Sequence, residues 1–313
     1  MQGNEPPSVN GTQTEEIKNL LMKNLLSPPT AEGKKKMHEE FMDFLRTNPN
    51  NFSYWFPHIE KIADNEGISV PKSIIIPVPE ELYKAFFQEQ EGDSEKIDNW
   101  VLDHVVPVIE QTPWLNGHKI FIKNGCYSHK FNFTNGCLIT DQSDEEQLIK
   151  NICNIQYEAI CYDKCGYLEL ILREYIEPEK TDTPTIYHGM PLRPEIRIFY
   201  NFDIHQLLYA INYWDWDYCH DAICYSFLGE DKLPDADIYE IAYPTLDAET
   251  KRLFEKHRPQ IEKALATVTT LQMPGEAPNI WSVDFLMEEN RVWLIDMAQG
   301  WCSAYWDRQK AGV

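Results

Sequence analysis

The alternation of apolar and polar positions changes character near residue 70. Before that point apolar residues recur with the 3.6-residue period of amphipathic helices, and helices are predicted over 15–26, 35–47 and 52–65. The Pro28-Pro29 pair separates the first helix from the second. The pattern therefore predicts a helical N-terminal region over 15–70. The Pro/Gly/Asn-rich tail before it, residues 1–14, is expected to be disordered.

Beyond residue 70, short apolar runs typical of strands dominate. Strands are predicted over 73–78, 118–123, 137–140 and 167–176, with a strand pair over 195–200 and 206–213 and a closing hairpin over 281–287 and 292–297. Helices are predicted over 94–111, 144–160 and 247–268. Pro107 and Pro259 are expected to break or kink the first and the last of these helices. A helical start followed by a mixed body with many antiparallel strands places the chain in the α+β class.

The closing hairpin carries an aspartate on each strand. A loop centred on Asn290 would set Asp284 opposite Asp296, with Cβ atoms about 5 Å apart. Facing carboxylates inside apolar strands are unfavourable without a positive partner, and a hard divalent cation fits best. A register shift of one residue would instead leave one aspartate in solvent. The preferred interpretation is a metal site at Asp284 and Asp296.

Lysines surround a small polar loop in the middle of the chain. Strand alternation places Lys119 and Lys123 on one face, and the loop that follows contains Ser128 and leads directly to Lys130. Ammonium groups and backbone N–H groups suit an oxyanion such as a phosphate. The segment lacks the spacing of a P-loop, so the alternative interpretation is a solvated hairpin edge.

Two further strands carry charged residues at informative positions. One ends in Glu174 to Glu177 before a proline, which indicates either a lobe hinge that can pair its backbone with a flat heterocycle or an interior strand with a charged end. The other places Glu195 and Arg197 on the same side. Arg197 could form a plain salt bridge or clamp a phosphate with two hydrogen bonds.

A third segment, residues 213–221, interleaves aromatic residues with acids. This pattern indicates either a lip for a cationic partner or an aromatic-rich edge of the core. His220 lies beside Asp221, but the chain has no G-x-S-x-G nucleophile motif, so a hydrolase triad is disfavoured.

Charge narrows the classes of partner. The 313 residues include 28 Lys and Arg against 50 Asp and Glu, a formal net charge of −22. Such a chain repels nucleic acid and anionic lipid surfaces, so neither a nucleic acid nor a membrane is expected as a partner. No transmembrane run or signal peptide is predicted, and a cytoplasmic location with reduced cysteines is expected. The spacing of the eight cysteines does not match a zinc ribbon, which favours small buried thiols.

The order of these segments resembles the ATP-grasp superfamily. It is most similar to the branch that contains the cell division cycle protein 123 family and its bacterial and phage relatives. Four short motifs carry the resemblance, which spans roughly residues 70 to 300: a lysine/serine loop (Lys123, Ser128, Lys130), an LREY hinge (172–175), a PE-x-R-x-F strand (194–199) and a VWLID strand (292–296).

This resemblance implies a nucleotide held between two α/β lobes. Residues 71–115 would form the first part of the core, 116–180 the lid lobe with the phosphate loop and hinge, and 181–313 the C-terminal lobe with the metal site. It implies ATP and Mg²⁺ as cofactors. The implied activity is a ligase that forms an amide-type bond through an acylphosphate, with an unidentified small-molecule or protein acceptor. The alternative is a nucleotide-dependent assembly chaperone that does not ligate.

The resemblance also implies a role for individual residues. Arg197 and Lys130 would act in catalysis, and Asp284 and Asp296 would bind magnesium. The nucleotide would be bound by Lys119, Lys123, Ser128, Lys130, Glu174, Tyr175, Ile176, Glu177 and Arg197. One departure stands out: the family usually has an asparagine two residues after the last acid, and here that position is Ala298, followed by Gln299. One metal site is therefore either lost or rebuilt by Gln299.

Overall fold

The computed structural model describes residues 30–88, 92–161, 168–225, 231–273, 275 and 277–313. The tail predicted over 1–14 and the helix predicted over 15–26 lie outside this part of the chain. The backbone divides into two units, residues 1–44 and 45–313. All of the site described below belongs to the second unit.

The first helices follow the predicted pattern closely. Helix α1 covers Ala31–Thr47 and α2 covers Phe52–Glu66. Gly67 ends α2 in the left-handed conformation at φ 74°, which glycine adopts without steric cost. Helix α3, Glu80–Gln88, was not predicted.

The single helix predicted over 94–111 is interrupted, as its internal proline suggests. It consists of α4 (Asp93–Trp100), a π-helical turn (Val101–Val105) and α5 (Val106–Gln111). Pro107 has no N–H to donate to the turn before it. The wider π turn lies directly ahead of the proline, where the regular hydrogen-bond ladder must break.

Sheet I contains four short antiparallel strands in the order β1-β4-β2-β3. They are β1 (Ser73–Pro77), β2 (Ile120–Asn124), β3 (Leu138–Ile139) and β4 (Glu169–Glu174). Helix α6 (Glu145–Cys161) begins where Asp144 accepts a hydrogen bond from the Gln147 N–H. The apolar faces of α3 to α6 and of this sheet form one buried core, which includes Trp100, Ile122, Ile152 and Leu172.

Sheet II contains four longer antiparallel strands in the order β10-β9-β7-β8. A two-stranded ladder, β5 (Thr185–Ile186) and β6 (Met190–Pro191), precedes it. The sheet consists of β7 (Glu195–Asn201), β8 (Gln206–Asn212), β9 (Ile280–Met287) and β10 (Val292–Gln299). Helices α7 (Trp216–Cys224), α8 (Ala236–Ala266) and α9 (Arg308–Ala311) complete the described chain. Trp281 and Phe285 of the sheet pack with Trp55 of α2 and Leu253 of α8 in a second core.

Helix α8 differs most from its prediction. It begins at Ala236 rather than at residue 247, and it runs through both Pro244 and Pro259. The early turns bury Tyr239 and Leu246 in a third apolar cluster with Trp214. This burial offsets the hydrogen bonds that the prolines cannot make. The α+β class predicted from the sequence is confirmed. Among the described residues no helix has the length and apolarity needed to cross a membrane.

Candidate functional site

A cleft lies between sheet I and sheet II, and most of the predicted site residues line it. Those that do are Lys123, Ser128, Lys130, Glu174, Tyr175, Ile176, Asp284 and Asp296. Arg197 is bonded to one of these aspartates, whereas Lys119 and Glu177 form an exposed ion pair next to the hinge, with 2.8 Å between Nζ and Oε1. The structure therefore brings together residues from strands far apart in the sequence.

The two aspartates face each other, and a β-bulge makes them do so. The hairpin pairs Met287 with Val292 and Phe285 with Leu294, a register that would set Ile295 opposite Asp284. The register shifts at this point, and Asp284 pairs with Asp296 instead. The predicted pairing is confirmed, but the loop is centred between residues 289 and 290 and the bulge supplies the extra residue.

Arg173 of β4 contacts the bulge from the other sheet. Its Nη1 donates to the carbonyl oxygen of Ile295 at 2.6 Å, and its guanidinium lies 5.0 Å from the ring centre of Phe52. Burial lowers the pKa of Arg173 to about 10, although the charge of Asp296 opposes this shift. The buried Nη2 has no hydrogen-bond partner among the residues that the structure describes. An unpartnered donor in a cleft that Arg173 itself lines fits an anionic ligand.

Basic side chains supply the positive charge expected between the aspartates. Nε and Nη2 of Arg197 donate to the two carboxylate oxygens of Asp284, each at 2.7 Å. Nζ of Lys123 donates to Asp296 at 2.9 Å. Arg197 thus pairs with the aspartate opposite it on β9, and not with Glu195 on its own strand.

The two partners of the Lys123–Asp296 ion pair differ in exposure. The Lys123 side chain is 2% exposed and that of Asp296 is 41% exposed. Burial disfavours the Asp296 carboxylate, but Lys123 and Arg173 outweigh it, so the pKa of Asp296 is lowered. Burial likewise disfavours the Arg197 cation, but Asp284 outweighs it and the pKa of Arg197 is raised. Arg197 and Asp296 are therefore charged near neutral pH.

The small loop between Lys123 and Lys130 is fastened at both ends. The Asn124 side-chain oxygen accepts from the Cys126 and Tyr127 N–H groups at 2.8 and 2.6 Å. The Tyr127 hydroxyl and the His129 imidazole both bond to Glu158 of α6. This anchoring holds the loop against the cleft wall.

Lys130, which follows the loop, lies against an aromatic residue of sheet II. Its Nζ contacts the Tyr213 hydroxyl and lies 3.8 Å from the centre of that ring. Burial disfavours the ammonium form, but Tyr213 and Glu195 outweigh it, so the pKa of Lys130 is raised. Lys130 therefore presents a positive charge to the cleft.

The hinge forms an apolar end of the cleft. Tyr175 and Ile176 line it together with the side chains of Phe121, Phe133, Met190 and Leu286. The Ile176 carbonyl accepts from Nη1 of Arg193 at 2.9 Å. Apolar walls beside backbone polar groups suit a flat heterocycle.

Sequence reasoning did not assign a role to Glu195. This carboxyl is buried and lines the cleft near Lys130, Arg193 and Arg197. Burial raises the pKa of Glu195 to about 7, with a further rise from Asp284, while Lys130 and Arg193 oppose the shift. Arg173 and Arg193 were likewise unassigned. The sequence does contain a signal for these residues, because a charged side chain inside an apolar strand requires a partner of opposite charge.

Gln299 does not lie beside the aspartates. Its N–H donates to the Asn50 side-chain oxygen at 2.7 Å, its Oε1 accepts from Asn50 at 3.2 Å, and its Nε2 contacts the Met273 sulfur. Ala298 pairs with Ser282 and offers no side-chain oxygen. Two carboxylates remain as hard oxygen donors. This donor set fits one Mg²⁺ ion that keeps waters and binds phosphate oxygens.

Comparisons with known proteins found solved structures of low sequence identity to this chain. No family model matches the chain, and no curated protein matches it. Cdc123 from Schizosaccharomyces pombe, in a C-terminally truncated form, is 16% identical, covers 82% of this chain and 85% of its own, and has a TM-score of 0.44. D-alanine–D-alanine ligase from Bacillus anthracis, complexed with ATP, is 13% identical, covers 80% of this chain and 54% of its own, and has a TM-score of 0.31.

Both groups that the motifs resemble are thus among the structural neighbours, which also include an ATP-grasp protein from Sphaerobacter thermophilus. At such TM-scores these likenesses are weak. The function proposed below therefore rests on the residues of the cleft.

Proposed function

We propose that this chain binds Mg-ATP in the cleft between its two sheets, in the manner of ATP-grasp proteins, and uses it to form an amide-type bond. The observation that carries the proposal is the convergence of Lys123, Arg173 and Arg197 on the facing pair Asp284 and Asp296. Cations next to paired carboxylates are what a triphosphate and its magnesium ion require.

Nucleotide binding would exchange ion-pair partners within the cleft. Phosphate oxygens can replace the carboxylates as acceptors for Lys123 and Arg197, since both partners are anionic. The carboxylates of Asp284 and Asp296 then become available to magnesium. The unpartnered Nη2 of Arg173 can donate to the same phosphates without losing its bond to Ile295. Tyr175 and Ile176 would hold the adenine, and Glu177 would reach the ribose from the rim.

The proposed ligase reaction consists of two successive displacements. A carboxylate oxygen of the acceptor attacks the γ-phosphorus, the bond from that phosphorus to the β–γ bridging oxygen breaks, and ADP leaves. An amine then attacks the acyl carbon, loses a proton and displaces phosphate. Arg197 and Lys130 would stabilise the negative charge that develops on the transferring group. When bound, magnesium neutralises charge on the phosphates.

A second function is favoured by one observation. Gln299 is bonded to Asn50 and Met273, and Ala298 has no side-chain oxygen, so neither residue adds a metal ligand beside Asp284 and Asp296. Two-metal phosphoryl transfer needs a fuller set of donors. A nucleotide-dependent binding module that turns ATP over slowly is therefore the alternative.

Binding of ATP and of adenosine to Lys123→Ala tests the proposal. Loss of this ammonium should weaken ATP binding by about tenfold or more, because a charge-assisted bond to a phosphate is lost, and leave adenosine binding unchanged. Lys251→Ala, at an exposed position on α8, is the matched control and should change ATP affinity little. If Lys123→Ala binds ATP as the wild type does and remains folded by circular dichroism, the cleft is not the phosphate site. ADP release is then measured after mixtures of candidate carboxylates and amines are added. A ligase should release ADP under these conditions, whereas a binding module should not.

A further inference from the structure

A second cluster of metal-ligating side chains lies outside the cleft, on helices α7 and α8. His220 and Cys224 are four residues apart on α7, which places both on one face of the helix. Glu240 comes from the early part of α8 and meets that face. None of the three lines the nucleotide cleft. No C-x-x-C or His-rich motif marks this cluster in the sequence.

The three ligand atoms are close enough to share one ion. Nε2 of His220 lies 3.3 Å from Oε1 of Glu240, and all three ligand atoms, including the Cys224 sulfur, lie within 4.8 Å of one another. Zinc–ligand bonds of about 2.0–2.3 Å in a tetrahedron place neighbouring ligand atoms about 3.3–3.6 Å apart. The nitrogen–oxygen edge already has this length. The sulfur needs to move by about 1 Å to complete the site.

The surroundings of His220 orient its ring toward the cluster. Its Nδ1 lies 3.1 Å from a carboxylate oxygen of Asp221, while Nε2 faces Glu240. The ring stacks on Trp216, with centroids 4.1 Å apart and planes at 26°. A metal-bound histidine usually donates its second ring nitrogen to a carboxylate, which fixes the tautomer. Asp221 is placed for that role.

The charges of neighbouring groups leave one oxygen of Glu240 for a cation. Nζ of Lys232 donates to Oε2 of Glu240 at 2.8 Å and to Asp237 at 2.7 Å. This ion pair holds the Glu240 side chain in place while Oε1 remains turned to His220. The carboxylates of Glu240, Asp221 and Asp237 together exceed the single charge of Lys232, so a divalent cation is favoured.

We propose that His220, Cys224 and Glu240 bind one zinc ion, with the fourth position open to water. Zinc is the ion of choice because the donors are one sulfur, one nitrogen and one oxygen, whereas magnesium requires oxygens. The ion would fasten the C-terminal end of α7 to α8 above the cluster that contains Trp214 and Tyr239. This site is independent of the magnesium proposed for the cleft.

Metal titration of the untagged full-length chain tests the site. Zinc is titrated against a chromophoric chelator in the absence of nucleotide, and cobalt is used as a spectroscopic substitute. We expect one equivalent of zinc to be withdrawn from the chelator. The cobalt complex should show a sulfur-to-metal charge-transfer band, and Cys224→Ser should abolish it. His220→Asn and Glu240→Gln should each weaken zinc binding by about tenfold or more.

Two control variants separate this site from other ligands. Cys302→Ala removes an exposed thiol elsewhere and should leave both readouts unchanged. Asp296→Asn removes a cleft carboxylate and should also leave the sulfur band intact. Zinc should raise the midpoint of thermal unfolding in the wild type and in these two controls, and should raise it less in Glu240→Gln at the same zinc concentration. The proposal would be overturned if the wild type failed to compete with the chelator. It would also be overturned if the cobalt complex showed no sulfur-to-metal charge-transfer band and Cys224→Ser left its spectrum unchanged.

Discussion

Nη1 of Arg173 donates to the carbonyl oxygen of Ile295 at 2.6 Å, so a residue of sheet I holds the bulge that aligns the two aspartates of sheet II. The bulge is the reason that Asp284 faces Asp296 and not Ile295. Arg173 therefore acts on the proposed metal site in two ways, through its charge and through the backbone that it holds.

Arg173→Lys should weaken Mg-ATP binding although it conserves the charge. An ammonium group cannot donate to the Ile295 carbonyl and keep a second donor turned into the cleft, as the guanidinium fork does. A hydrogen bond from a charged donor contributes about 1.5–3 kcal/mol, so a loss of affinity of about tenfold or more is expected by isothermal titration. Arg258→Lys, on the exposed side of α8, is the control. Equal affinities in Arg173→Lys and the wild type would show that the bulge needs no support from sheet I.

Asp296→Asn should lower the stability of the nucleotide-free protein. Facing aspartates repel each other, but Lys123 is bonded to Asp296 and is almost fully buried. Removing one partner of a buried pair costs about 3–5 kcal/mol, and the partial exposure of Asp296 reduces this to about 1–3 kcal/mol. Urea unfolding measures the change, with the exposed Asp182→Asn as control.

The double variant Lys123→Met/Asp296→Asn gives an independent check of that prediction. Because it removes both charges, its free energy of unfolding should recover most of what Asp296→Asn loses. Greater stability of Asp296→Asn than of the wild type would instead show that repulsion between the aspartates dominates.

Glu195 should make stability fall as pH rises from 4.5 to about 7. Its pKa is raised from 4.5 to about 7 in the folded state, so the native protein retains a proton that the unfolded chain releases in this window. At 1.36 kcal/mol per pH unit the contribution is about 3 kcal/mol, present below pH 4.5 and lost above pH 7. Asp296, whose pKa lies below 3.8, stays ionised throughout and adds no slope.

Comparison with Glu195→Gln isolates this contribution. Glu169 and Glu288 also have raised pKa values, and they act with the same sign in both proteins. The difference in unfolding free energy between wild type and Glu195→Gln, measured across the window, should therefore change by about 3 kcal/mol in favour of the variant as pH rises. A constant difference would mean that folding does not raise the pKa of Glu195.

Ala298→Asn should increase magnesium affinity in the nucleotide complex. Position 298 lies two residues after Asp296 on β10, hence on the same face of the strand, and an amide oxygen there adds a hard ligand. An additional interaction worth about 1 kcal/mol corresponds to about a fivefold gain, which titration of magnesium can resolve. Ala298→Leu adds a similar volume without an oxygen and should show no gain. An unchanged affinity in Ala298→Asn would indicate that the wild type already completes its metal site.

The sequence predicted the residues of the cleft better than the interactions between them. Strand alternation and motif order led to Lys123, Asp284 and Asp296, and each lines the cleft. Neither a bulge at Ile295 nor the capture of its carbonyl by Arg173 can be predicted from alternation, because both depend on contacts between strands far apart in sequence. Strand alternation also cannot predict that Lys123 and Arg197 supply the positive charge beside the two aspartates.

The predicted helix boundaries were wrong where tertiary packing overrode the local sequence pattern. Pro107 marks a real interruption, since a π-helical turn precedes it. The helix predicted over 247–268 instead begins at Ala236 and passes through Pro244. The difference is tertiary: the turns around Pro244 bury Tyr239 and Leu246 against α7, which no local pattern reveals.

The clustering of basic groups in the cleft of so acidic a chain has a consequence for the speed of nucleotide capture. An approaching ATP anion meets the field of the net charge of −22 before it reaches Lys123 and Arg197. At low ionic strength that field extends about 30 Å, and at 0.1 M salt it shrinks to about 10 Å. Added salt should therefore accelerate association up to roughly 0.1 M, the opposite of the slowing seen when a basic surface attracts an anion. Once inside, the nucleotide is shielded from bulk ions, so its dissociation rate should depend far less on salt.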